Sequence, residues 1–139
     1  MERLHVSGTL DSLSAIAQYI MKAAQEAGLE KKVAYKLRLG VDEIATNIVT
    51  HGYEEPGKEG SITCCAKISP ETLTVTLEDT GIPYDPTTRP ELEILDTPLE
   101  ERPIGGLGVY LALDGVDEFK YERSGDYNRN IFIVNRGQV

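Results

Sequence analysis

Asp42-Glu43-Ile44-Ala45-Thr46-Asn47 lies in a run whose apolar residues Val33, Leu37, Val41, Ile44 and Ile48 recur at the spacing of one helix face. The pattern predicts a helix from about Glu30 to His51, ended by Gly52 and followed by Glu55-Pro56-Gly57. Glu43 and Asn47 stand four residues apart, so their side chains share a face, rotated away from the Ile44–Ile48 stripe toward the edge of the buried surface. An amide oxygen suits magnesium, which takes oxygen ligands and keeps several waters. A carboxylate one turn earlier can hold a metal-bound water or accept a hydroxyl proton. An ordinary polar helix surface with a salt bridge would carry the same two residues.

On the N-terminal side, Leu13, Ile16, Ala17, Ile20, Met21 and Ala24 predict a first helix, capped by Thr9 or Asp11 and stopped at Gly28. Leu4 and Val6 suggest a short edge strand before it. Gly40, inside the second helix, costs about 1 kcal/mol relative to alanine, a cost that close approach by another element would explain. On the C-terminal side, Ile62, Cys64, Ala66 and Ile68 alternate along one strand. After Ser69-Pro70, Leu73, Val75 and Leu77 alternate along another. A closing hairpin, Glu118 to Arg123 and Asn130 to Arg136, turns at Ser124-Gly125-Asp126. With no internal repeat, the economical architecture is a single α+β domain over residues 1–139, its helices packed on one face of a mixed or antiparallel sheet.

Glu78-Asp79-Thr80-Gly81 ends the second of those strands. Asp79 has the parity of Leu73, Val75 and Leu77, so a straight strand points its carboxylate inward, where it needs hydrogen-bond donors. An adenine amine is such a donor, and Gly81 would let a ring approach the backbone. A strand ending at Glu78 would instead leave Asp79-Thr80-Gly81 as a solvated turn. Gly105-Gly106-Leu107-Gly108 precedes an apolar run read as a short helix, and backbone N–H groups at a helix start bind phosphate. Between these motifs, residues 82 to about 104 combine Pro83, Pro86, Pro90 and Pro98 with many acids, and connectors of that length are commonly functional.

Composition narrows the classes. The 139 residues fit one core, with 40% hydrophobic residues. A net charge of -9 with scattered basic residues argues against nucleic acid as partner and suits a protein partner. Cys64 and Cys65 are strand neighbours facing opposite ways, so they read as reduced packing residues. With two histidines and no C-x-x-C, a zinc site is not expected. No apolar run approaches membrane-spanning length and no signal peptide is visible, so a cytoplasmic location is expected. There is no Walker A loop, no H-R-D and D-F-G set and no G-x-S-x-G elbow. His51, one turn after Asn47, either reaches the same pocket or serves the helix dipole.

The three segments, in this order, resemble the N, G1 and G2 boxes of the histidine-kinase-like ATPase superfamily, which includes gyrase-, Hsp90- and MutL-type ATPases. Within it the chain is most similar to the small bacterial anti-sigma-factor serine kinases. The residues that carry the likeness are Glu43 through Tyr53, Glu78-Asp79-Thr80-Gly81, and Leu99-Glu100-Glu101-Arg102-Pro103-Ile104-Gly105-Gly106-Leu107-Gly108. The resemblance spans about residues 5 to 136 and implies helices on one face of a mixed, mostly antiparallel sheet, with ATP and Mg²⁺ between helix and lid.

By the same resemblance Asn47 coordinates magnesium and Glu43 acts as catalytic base or activator. Asp79 and Gly81 take the adenine, while Gly106, Leu107 and Gly108 hold the phosphates. The lid falls on about 82–104, with Arg102 near its end in reach of the phosphates. The implied activity is a protein-serine kinase that phosphorylates an anti-sigma-factor antagonist of the STAS type and sequesters a sigma factor. A non-catalytic, ATP-dependent protein-binding module is the alternative, and a homodimer is compatible with either. Asn128-Arg129-Asn130 departs from the family, where many relatives carry a Gly-Thr pair, and no ligand role is carried over there.

Overall fold

The period-two alternation is realised as β1 (Leu4–Ser7), β2 (Ser61–Ile68), β3 (Thr72–Asp79), β4 (Glu118–Ser124) and β5 (Tyr127–Asn135). The computed structural model describes residues 1–84 and 114–137. The expectations for the lid beyond Tyr84, the short helix after Gly106, Arg102 and the glycine segment Gly105–Gly108 lie outside the described residues. Among the described residues the five strands form one sheet in the order β1-β2-β3-β5-β4, every pair antiparallel. The sheet expected to be mixed or antiparallel is antiparallel here throughout.

Among the described residues two helices cover its inner face: α1 (Leu13–Glu26), entered through a 3-10 turn at Leu10–Ser12, and α2 (Lys31–Asn47). Thr9 precedes that turn but makes no side-chain cap. Ile16 and Ile20 of α1 and Leu37, Val41 and Ile44 of α2 share one buried cluster with Leu73, Val75 and Leu77 of β3 and Phe132 of β5. Each fully buried side chain of this size contributes roughly 1.5–3 kcal/mol relative to exposure.

The stop after α1 has a clear local cause. Gly28 adopts φ +73°, the Leu29 N–H reaches Ala24 O at 3.0 Å, and the Gly28 N–H reaches Gln25 O at 3.0 Å. These are the paired bonds of a Schellman cap, which glycine allows at positive φ. Arg136 then donates from Nε to Ala27 O at 2.8 Å, tying the last strand's end to this helix.

The end of α2 corrects one expectation. Gly52 was expected to stop the helix, yet the chain continues as a π-helical segment, Ile48–Glu54, with Gly52 inside it. The bonds Glu55 N–H to Thr50 O, 2.9 Å, and Lys58 N–H to Tyr53 O, 2.8 Å, show the wider i→i+5 winding. The segment packs against the Asp79–Gly81 turn: a Cβ on Gly81 would sit 2.9 Å from the Cα and O of Gly52, whereas a Cβ on Gly52 would find the Gly81 Cα at 3.6 Å, ordinary contact. The close approach thus calls for glycine at 81, and the Ile82 N–H donates to the Gly52 carbonyl at 3.3 Å. Gly40 is buried within α2.

Candidate functional site

β3 runs straight to its end, so Asp79 keeps the inward parity of Leu77 and is only 3% exposed. Of the two readings of Glu78-Asp79-Thr80-Gly81, the inward one holds. The carboxylate has the donors its burial demands: Oδ1 accepts from the Gly81 N–H at 2.9 Å and from Asn128 Nδ2 at 3.0 Å. The first bond closes an Asx turn that fixes Thr80-Gly81. Burial raises the Asp79 pKa above the ordinary carboxylate value, opposed by the Asn128 and Gly81 hydrogen bonds and by the charges of Arg123 and Lys58.

The same turn is stapled to the π-helical segment by Tyr53. Its hydroxyl donates to Ser61 O at 2.6 Å and accepts from the Thr80 N–H at 2.8 Å. Asp79 and the end of α2 are thereby held against one another, and the motifs separated by about thirty residues in sequence meet. Asn47 and Asp79 line one hollow together with Ile44, Ile48, Gly52, Ile82, Tyr84, Asn128 and Asn130. Its free volume is about 10 Å³, room for about one water. A far larger groove, about 1110 Å³, runs between α1 and α2 and includes Asp42 and Thr46, but none of Glu43, Asn47 or Asp79 lines it. Volume alone does not mark the site; the donor set does.

Asn47 is 9% exposed, and its Nδ2 has no hydrogen-bond partner. An amide exchanges nitrogen for oxygen by a half-turn about its last bond, so either atom can be presented to the hollow. Glu43 lies one turn earlier, half-buried, and is not among the residues lining the hollow. Burial raises its pKa first, and the neighbouring Asp42 carboxylate adds to the shift. Asp42 is itself raised by burial, less the effect of Arg38, whose Nε stands 3.5 Å away. No cluster of three or more His, Cys, Asp or Glu side chains placed to hold a metal occurs among the described residues. His51 does not line the hollow; it stacks on Tyr84 at 5.0 Å between ring centroids and pairs with Glu55 Oε1 at 2.9 Å.

The sequence reading missed Asn128 and Asn130, both 2% exposed and both lining the hollow. Asn128 is a hub. Its Nδ2 donates to Asp79 Oδ1 and to Gly81 O at 3.0 Å, and its Oδ1 accepts from the Tyr121 hydroxyl and from Arg123 NH1, the latter at 3.1 Å. Arg123 NH1 also donates to Gly81 O at 3.1 Å. The register that pairs Asp79 with Asn128, and Asn128 with Arg123, makes this network possible.

The profile of the histidine kinase-like ATPase domain family matches residues 6–133 of this chain. An anti-sigma F factor of Clostridium acetobutylicum is 31% identical over 86 residues, a match covering 62% of this chain and 58% of that protein's length. The fold is shared with the histidine kinase domain of the blue-light-activated histidine kinase EL346 of Erythrobacter litoralis, at TM-score 0.58 and 20% identity, over 91% of this chain and 60% of that one. It is shared also with the Acinetobacter baumannii histidine kinase AdeS, at TM-score 0.53 and 9% identity, over 99% of this chain and 70% of that one. The chain belongs to the histidine kinase-like ATPase domain family. No helix among the described residues is long and apolar enough to cross a membrane.

Proposed function

We propose that this domain binds Mg²⁺-ATP in the hollow between α2, the π-helical segment and the Asp79–Gly81 turn. We further propose that it transfers the γ-phosphoryl group to a serine of an anti-sigma-factor antagonist, and that it also sequesters a sigma factor. The observation that carries the reading is the meeting in one hollow of Asp79 and of Asn47, whose Nδ2 has no partner. The likeness to an anti-sigma F factor supports the choice of protein partner.

The residues fit the nucleotide and its cation. Asp79 Oδ1 accepts the two hydrogen bonds of the turn, and its second oxygen would accept from an adenine amine. The Asn47 amide, uncommitted at one end, would hold magnesium, which when bound neutralises phosphate charge and helps align the transferring group. Glu43 accepts the proton of the serine hydroxyl as the serine oxygen bonds to the γ-phosphorus and ADP departs. Its pKa, raised by burial and by Asp42, makes it a stronger base than a free carboxylate. Gly106, Leu107, Gly108 and Arg102 are assigned to the phosphates on the motif alone.

A non-catalytic, ATP-dependent binding module is the rival, and the absence of Glu43 from the lining of the hollow favours it. Labelled ATP incubated with the antagonist candidates of the same genome separates the two. The kinase reading expects labelled serine, with Glu43→Gln keeping ATP affinity and losing transfer by about 10²–10⁴-fold. Stoichiometric complex formation without labelled serine would establish the rival.

A further inference from the structure

Asp79, Asn128 and Arg123 stand directly opposite one another on the neighbouring strands β3, β5 and β4. Residues directly opposite share a face, so the three side chains form one row beside the hollow. Hydrogen-bonding capacity fixes how the row is arranged. A guanidinium only donates, so the Asn128 amide turns its oxygen to Arg123 and accepts there from NH1 at 3.1 Å and from the Tyr121 hydroxyl. The NH₂ end is left for two acceptors, Asp79 Oδ1 and Gly81 O, both at 3.0 Å. Arg123 is itself held in place, with Nε donating to Gly125 O at 3.0 Å in the hairpin turn and NH1 to Gly81 O at 3.1 Å. Arg38 and Arg129 pair directly with carboxylates. Arg123 makes no ion pair among the described residues, and every acceptor it meets there is a carbonyl oxygen.

We infer that Arg123 is the counter-ion of Asp79, acting on it across the Asn128 amide, and so a positioning residue of the candidate site. For the ligand the inference rests on the nucleotide reading above, and it names the group that sets the pH range in which Asp79 accepts a bond from that ligand. An amide whose oxygen binds a cation is polarised, and its NH₂ then makes a stronger bond to a carboxylate. Burial raises the Asp79 pKa, and the Asn128 and Gly81 hydrogen bonds and the charges of Arg123 and Lys58 act against it. The other elements packed around Asp79 add no charge that faces it among the described residues. The end of α2 and the π-helical segment bring Asn47 and Gly52 to the hollow, and β2 brings Ile62 opposite Asp79. The Tyr53 hydroxyl is engaged at Ser61 and Thr80, and His51 pairs with Glu55. Arg129 is taken by Glu78 and Glu122. Lys58 acts through space, whereas Arg123 is tied to the carboxylate through the bonded row. A protonated Asp79 offers an O–H where the adenine amine also donates, so ATP affinity should fall as pH drops through its pKa.

Carbon-detected NMR of the side-chain carboxyls follows Asp79 directly in the nucleotide-free chain, its signal identified as the one that no longer titrates in Asp79→Asn. Arg123→Gln keeps a donor and removes the charge, while Arg123→Lys keeps the charge. The Asp79 titration should move to higher pH in Arg123→Gln and return toward that of the unsubstituted chain in Arg123→Lys. Calorimetric titration with Mg²⁺-ATP across the same pH range should show a matching displacement. The affinity lost in Arg123→Gln should be about threefold or more greater on the acid limb than on the high-pH plateau. The phosphates of ATP titrate alike in all three proteins, so they cancel from the comparison. An unmoved Asp79 titration in Arg123→Gln would overturn the counter-ion role, as would an equal loss of ATP affinity at every pH. Unfolding of both variants would also overturn it, by making the arginine structural. Failure of the unsubstituted chain to bind ATP would remove the nucleotide reading, whereas a displaced carboxyl titration would still establish Arg123 as the counter-ion.

Discussion

Asp79→Asn separates what the carboxylate does for a ligand from what it does for the fold. Asparagine keeps a carbonyl oxygen for the bonds from the Gly81 N–H and Asn128 Nδ2, now 2.9 and 3.0 Å long. The substitution therefore preserves the turn and replaces only the other oxygen, putting an NH₂ donor where an adenine amine would also donate. Loss of a hydrogen bond to a charged group costs about 1.5–3 kcal/mol, so ATP affinity should fall by roughly 10- to 150-fold. The fold should respond in the opposite sense. Because burial raises the Asp79 pKa in the folded state, ionisation is disfavoured there relative to the unfolded chain. Stability owed to this group is present below the unfolded carboxylate pKa and is lost as pH rises through the higher folded value. Arg123 and Lys58, the charges facing it, reduce this effect without reversing it. The variant, which does not titrate, should match the unsubstituted chain at low pH and exceed it in melting temperature near neutrality. Calorimetric titration with Mg²⁺-ATP and scanning calorimetry from about pH 4 to pH 8 give both quantities. Equal ATP affinity, or a variant that melts lower at neutral pH, would refute the reasoning.

Gly81→Ala should cost about 1–3 kcal/mol in denaturant unfolding, because its Cβ would meet Gly52 backbone at 2.9 Å and neither backbone can yield cheaply. Gly52→Ala is the control: its Cβ finds the Gly81 Cα at 3.6 Å, ordinary contact, and stability should hold or rise by up to ~1 kcal/mol. The two cysteines should differ in reactivity. Burial, with a smaller contribution from Cys65, pushes the Cys64 thiol up to about 12, whereas Cys65 is half-buried on the opposite face. Iodoacetamide should thus modify Cys65 in the native protein and Cys64 only after unfolding, as read by peptide mass mapping.

How much of this was legible in the sequence depended on whether a feature answered to local rules. The alternation of Leu73, Val75 and Leu77 and the stripe from Val33 to Ile48 are set by period alone, and both elements appear where the pattern puts them. Gly28 stopped a helix by a mechanism local to six residues. Gly52 looked equivalent, and was not: it lies inside a π-helical segment packed against Gly81, which no local rule can place beside it. Glycine marks both a chain reversal and a close backbone approach, and only the tertiary contact distinguishes them.

The site was divided in the same way. The parity of Asp79 left its direction open because the donors that permit an inward carboxylate include Asn128, 49 residues onward. Asn130 was harder still. In Asn128-Arg129-Asn130-Ile131-Phe132-Ile133-Val134 the two parities are equally apolar, Ile131 and Ile133 against Phe132 and Val134, so alternation cannot say which face is inward. Only the register with β3 puts Phe132 and Val134, and with them both asparagines, beneath the helices. Once that face is fixed, an amide among apolar neighbours with an unpaired oxygen breaks the consistency that the rest of the strand obeys. Such a break falls where β5 meets Asn47 and Asp79 in one hollow, so the departure from the strand's apolar pattern coincides with the candidate site.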